Sequence, residues 1–145
     1  MRWVRSSVVV CTALLLLAAC ARSGNDVAQD DIATVAGILQ EDWQADHPVK
    51  AQSGRQLVGD GSLDLALEQS GVDKALIHPL AASGNTSDPD GATIDLLITV
   101  ETVKNGNGVL VRRNTAGKGT ECFRYTLRNT GTSLKVTCAS LSCPK

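Results

Sequence analysis

From Asp26 to Trp43 the apolar residues Ala28, Ile32, Val35, Leu39 and Trp43 recur at steps of three and four. That period lays a single apolar stripe along a helix. Asp26 is placed to cap its amino end, with Gln29 three residues on to close a capping box. Asp30 and Asp31 fall in the first turns, where the helix dipole favours acids. The helix should end near Asp46, ahead of Pro48. Residues 47–61 read as loop, with at most a short strand over Gln56–Val58. Ser62–Ser70 fits a helix ended by Gly71, although Leu63, Leu65 and Leu67 also alternate as in a strand. Val72–Ala82 is predicted as a second short helix, interrupted by Pro79, and Ser83–Gly91 is loop by composition.

The pattern then changes period. Thr93–Lys104 alternates at Ile94, Leu96, Ile98 and Val100, as a half-buried strand does. Asn105-Gly106 and Asn107-Gly108 are both suited to tight hairpin turns. The first sets Val100 opposite Val111, with Val109–Asn114 as the return strand. Thr115–Thr120 (TAGKGT) reads as a flexible connection. In Glu121–Arg128, Phe123, Tyr125 and Leu127 share one face; Cys122, Arg124, Thr126 and Arg128 share the other. Leu134, Val136 and Cys138 line one face of a last strand.

Two registers compete for the last hairpin. A three-residue loop over Asn129–Gly131 sets Cys122 opposite Cys138, but places Tyr125 against Lys135 and Phe123 against Thr137. A four-residue loop over 129–132 pairs Leu127 with Leu134, Tyr125 with Val136 and Phe123 with Cys138. A slip of one residue turns every side chain to the other face, so the apolar match favours the second. Cys138 is then buried beside Phe123, and Cys122 has Cys143 as its partner on a tail that curls back, unless a bulge restores the Cys122–Cys138 pair. The fold class that follows is α+β: an N-terminal helix packed on a four- to five-stranded antiparallel sheet. This element order is similar to the helix-on-curved-sheet folds of the cystatin and nuclear transport factor 2 type, an analogy that carries no function.

The first residues have a different character. Arg2 and Arg5 precede a run from Val8 to Ala19 in which 11 of 12 residues are apolar. That is short of the ~20 needed to span a bilayer, and has the layout of a secretory signal. Its boundary, Leu17-Ala18-Ala19-Cys20, resembles the lipobox of bacterial lipoproteins. The resemblance covers residues 1–21. It implies cleavage of a signal peptide, residues 1–19, and acylation of Cys20. Residues 20–25 would form the lipidated terminus and tether, and 26–145 a single α+β domain. The lipid would hold the protein on a bacterial cell membrane, exposed on the extracytoplasmic side. Two or more acyl chains anchor stably where one does not.

Composition narrows the partners. Only Trp43, Phe123 and Tyr125 are aromatic beyond residue 19, too few for the stacking platforms of single-stranded nucleic-acid sites. No nucleic-acid partner is expected. An export route is oxidising, and Cys122, Cys138 and Cys143 form an odd set that leaves one thiol over. Residues 20–101 hold 14 acidic and 4 basic side chains, residues 102–145 hold 1 acidic and 8 basic. Opposite fields would favour docking of the two halves, or leave a basic face for an anionic partner.

Catalytic signatures are missing. His47 and His78 each precede a proline and lack metal-ligand spacing, and there is no Cys-x-x-Cys pair. Asp88-Pro89-Asp90-Gly91 is similar to part of a calcium loop, but Thr86 and Leu97 occupy its first and last ligand positions, so it reads as a turn. Nucleophile-elbow, Walker and dinucleotide motifs do not occur. No catalytic residue, metal ligand or cofactor is assigned, apart from the covalent lipid on Cys20. The constellation that remains is basic: Arg124, Arg128 and Lys135 share the polar face of the last hairpin, with Arg112 or Arg113 able to join from the preceding strand. Clustered guanidinium groups grip carboxylates and phosphates. The expected role is a lipid-anchored, non-catalytic binding or assembly module with an envelope protein as partner. The alternatives are a binder of an anionic ligand through the basic face, and an envelope enzyme whose site near His47 or His78 carries no familiar motif.

Overall fold

A computed structural model describes residues 24–45, 50–104 and 115–145. Three helices precede four strands: α1 Gly24–Ala45, α2 Gly54–Gly59, α3 Ser62–Ser70, β1 Ala75–Ser83, β2 Ala92–Lys104, β3 Thr115–Asn129 and β4 Leu134–Leu141. The strands form one antiparallel sheet in the order β1-β2-β3-β4. This is an α+β fold with an open sheet, the helices covering one of its faces.

Helix α1 sets the architecture. Ala28, Ile32, Val35, Leu39 and Trp43 are all buried, as their spacing requires. The helix starts at Gly24, so Asp26 lies inside the first turn instead of capping it. It packs over β2, β3 and β4. Ala28 and Ile32 sit on Gly119 of β3; a Cβ there would come within 2.8 Å of Ile32 Cδ1 and 3.2 Å of Ala28 Cβ. Farther along, the Tyr125 hydroxyl donates to the Ala36 carbonyl at 2.9 Å, and Trp43 meets the Tyr125 ring edge-on at 5.2 Å. At its end, the amides of Gln40 and Gln44 both reach the Val136 carbonyl on β4. That contact occupies part of an edge strand that would otherwise be open to pairing.

The structure departs from the expected elements in three stretches before the last hairpin. Val72–Ala82 is not a helix. Its core is strand β1, with Ala75, Ile77 and Ala82 turned to the core. Pro79 is tolerated because β1 is an edge strand and the register shifts between Pro79 and Ala81. Gln56–Val58 is not a strand but lies in α2. Ser53 and Gln56 form a reciprocal capping box there, and Leu57 is buried. Thr115–Thr120 is not a flexible connection. It is the first third of β3, paired with β2 as far as Lys104–Thr115. Val100 therefore faces Gly119 and not Val111, and α1 needs the missing side chain at that point. The expected turn and return strand over 105–114 lie outside the described residues.

The last hairpin keeps the expected faces but not the expected loop. Asn129 pairs with Leu134, Leu127 with Val136 and Tyr125 with Cys138, two residues from the expected pairing, so the loop is 130–133. A shift of two preserves which side is buried. Phe123, Tyr125, Leu127, Leu134 and Val136 all face the core. Cys138 lies across from Tyr125, not Phe123, and is a half-buried free thiol whose pKa burial raises. α3 ends at Gly71 in the left-handed conformation, as expected.

Two glycines, Gly119 on the α1–sheet contact and Gly37 on α1 away from it, test this packing. Replacing Gly119 by Val forces Ile32 and Ala28 away and should cost about 1–3 kcal/mol. Gly37, mid-helix with open space around its Cα, should gain about 0.5–1 kcal/mol on replacement by Ala. Denaturant melts of the two variants check both signs. A second test uses Tyr125, the sole tyrosine. Burial, and secondarily Cys138, pushes its phenol well above the ordinary range. Below the ordinary value of ~10, folded and unfolded chains both keep the proton. Above it only the unfolded chain releases the proton, so stability should fall as pH climbs. Phenolate absorbance should rise only together with unfolding. A phenolate forming near pH ~10 in a still-folded chain would contradict the burial.

Candidate functional site

The sheet face away from α1 carries no helix among the described residues, and its side chains fall in bands across the strands. Cross-strand partners place His78, Leu97, Cys122 and Leu141 in one row, and Ala81, Asp95, Arg124 and Ala139 in the next. Ser83, Thr93, Thr126 and Thr137 make a hydroxyl row. Beyond it Arg128 of β3 faces Lys135 of β4. Neighbouring strands lie ~4.8 Å apart, so each row is a short continuous surface.

The disulfide joins Cys122 to Cys143, closing 21 residues with a Cα–Cα distance of 5.3 Å. It folds the C-terminal tail over the face away from α1 and buries Cys122. Of the three candidate cysteines, Cys138 is the one left over.

The basic cluster is divided by its partners. Arg124 makes a two-pronged contact with Asp95, both nitrogen–oxygen distances being 2.7 Å. The hydrogen bond to Asp95, and then its charge, raise the Arg124 pKa further. Lys118 likewise pairs with Glu101 at 3.1 Å. Both pairs join an acid from the acidic half to a base from the basic half, across β2 and β3. The opposite fields thus meet within the sheet. Arg112 and Arg113 lie outside the described residues.

Arg128 and Lys135 are differently placed. Both are exposed, and neither forms an ion pair among the described residues. With Thr126, Thr137, Pro89 and Asp90 they line an open cleft of about 290 Å³. The Arg128 Nη1 donates to the Pro89 carbonyl at 3.2 Å, which holds the guanidinium against the 83–91 loop. That loop is itself fixed. Thr86 is fully buried and its backbone and hydroxyl bond Gln52, while its carbonyl accepts from the Asn129 amide at 2.7 Å. Gly91 has φ +77°, and a Cβ there would lie 2.6 Å from the Leu127 carbonyl. This close approach seats Asp90 beside Arg128.

Other candidate chemistry is not assembled. His78 is exposed on β1 in the same row as Cys122, whose sulfur is engaged in the disulfide. His47 lies outside the described residues. No group of three or more His, Cys, Asp or Glu side chains converges as a metal site among the described residues. The 85–91 segment is a turn, with the Asp88 carboxylate accepting from the Asn85 amide at 2.8 Å. No helix among the described residues is long and apolar enough to cross a membrane. Comparison of the chain with family models, with curated proteins and with solved structures gives no match.

Asp90, Thr126 and Thr137 were not legible as cleft residues. Thr126 and Thr137 share the polar parity of Arg124, Arg128 and Lys135, which is the one signal available for them. Asp90 joins through a loop whose Pro89 lies 39 residues before Arg128, and local pattern cannot show that return.

Proposed function

We propose that this chain is a lipid-anchored, non-catalytic binding module of a bacterial cell envelope that holds an anionic group between Arg128 and Lys135. The observation that carries the binding part is the pairing of these two cations on adjacent strands, at the wall of a cleft, with no carboxylate paired to either among the described residues. Like charges directly opposite on a sheet repel. A phosphate or carboxylate seated between them relieves that repulsion and accepts hydrogen bonds from both. Thr126 and Thr137 add hydroxyls on the same surface. Arg124 leaves the expected set because Asp95 already satisfies it.

The anchor rests on the resemblance of Leu17–Cys20 to a lipobox, and the disulfide suits an oxidising compartment. Only residues 21–23 lie between Cys20 and α1, so the cleft would work close to lipid headgroups or to neighbouring envelope polymers.

The test titrates inorganic phosphate into the full chain in mild detergent, at low and high sodium chloride. At 100 times its dissociation constant a ligand stabilises by ~2.7 kcal/mol, a clear rise in melting temperature. The rise should shrink with salt, because exposed charges are screened within ~10 Å at 0.1 M. It should vanish in Arg128→Ala/Lys135→Ala and persist in His78→Ala. An unchanged rise in the double variant would refute the site. Mass spectrometry of the protein from its host should show acyl groups that Cys20→Ala removes; an unacylated Cys20 would refute the anchor.

A further inference from the structure

The cleft also contains an acid. Asp90 lines the same space as Arg128 and Lys135, yet it forms no ion pair with either of them. Its neighbour Asp88 is engaged in the turn, while Asp90 has no partner among the described residues. The hydrogen bond from Arg128 to the Pro89 carbonyl and the close seating of Gly91 fix the backbone on either side of Asp90. Opposite charges are thus held around one cavity without closing on each other. The cleft they share has a volume of about 290 Å³, room for a small molecule.

From this we infer that the ligand is a zwitterion: an anionic group between Arg128 and Lys135, with an amine on the same small molecule reaching Asp90. A simple dianion meets repulsion from Asp90 in that cleft. A ligand that brings its own ammonium turns the same carboxylate into a charge-assisted partner. Asp90 is then the residue that sets specificity, and Thr126 and Thr137 offer hydroxyls to the remaining oxygens. This inference rests on the anion reading above. The chemistry shared by the two natural sources, a free phosphomonoester of an amino alcohol and a phospholipid headgroup, is an ammonium and a phosphate on one small group.

The test compares inorganic phosphate, phosphoethanolamine and glycerophosphoethanolamine, each titrated into the full chain in detergent by calorimetry. Phosphoethanolamine should bind about tenfold more tightly than inorganic phosphate, a difference of ~1.4 kcal/mol. Asp90→Asn should erase that preference while inorganic phosphate binds as well or better. If the two ligands bind equally to the native chain, and Asp90→Asn strengthens both alike, the zwitterion inference is overturned and the anion site stands. If none of the three binds, the anion reading falls with it. Retention of the preference by the glycerol diester indicates a lipid headgroup; its loss in the diester alone indicates a free monoester. Either result supports a zwitterion site.

Discussion

The contact of α1 with β3 governs this structure. The helix stripe from Ala28 to Trp43 is buried against the sheet and α3, and α1 is the longest helix over the inner face of the sheet among the described residues. Gly119 lets the two approach, Tyr125 locks the crossing through the Ala36 carbonyl, and Trp43 closes the far end against the Tyr125 ring. Apolar burial supplies most of the driving force, at about 25 cal/mol per Å². The two polar contacts, Tyr125 with Ala36 and the glutamines with Val136, set where the helix lies.

Because α1 occupies one face, the other has different work. Its side chains satisfy each other in rows: ion pairs between β2 and β3, a threonine pair at Thr99 and Thr120, and the disulfide that pins the tail. Arg128 and Lys135 stand at the end of that pattern, where β2 has already turned into the 83–91 loop and supplies no acid opposite them. The bare cation pair is thus a consequence of where the strands end. The loop that fills the place of a strand brings Asp90 instead.

Features set by short-range periodicity were legible beforehand. The α1 stripe, the alternation of β2, the parity of Phe123, Tyr125 and Leu127, and the Cys122–Cys143 bond all follow from spacing or from faces. The misread elements are those where one residue type has two physical uses. Pro79 breaks a helix or sits on a sheet edge, and Gly119 marks a loop or a close packing. Ser53 and Gln56 did carry a capping signature, S-x-x-Q, that a strand assignment overlooks. The Asp95–Arg124 pair and the return of Asp90 to β3 depend on long-range register, which no local window contains.

The proposed division of labour gives one sheet face to holding the fold and the other, at its Arg128–Lys135 end, to binding. The most direct measurement is the backbone amide spectrum of the isotope-labelled full chain in detergent, recorded as inorganic phosphate is added. Shifts should concentrate at Asp90–Gly91, Thr126–Arg128 and Lys135–Thr137, leaving the α1 stripe unmoved. Shifts spread along α1, or centred on Arg124 and Asp95, would contradict that division.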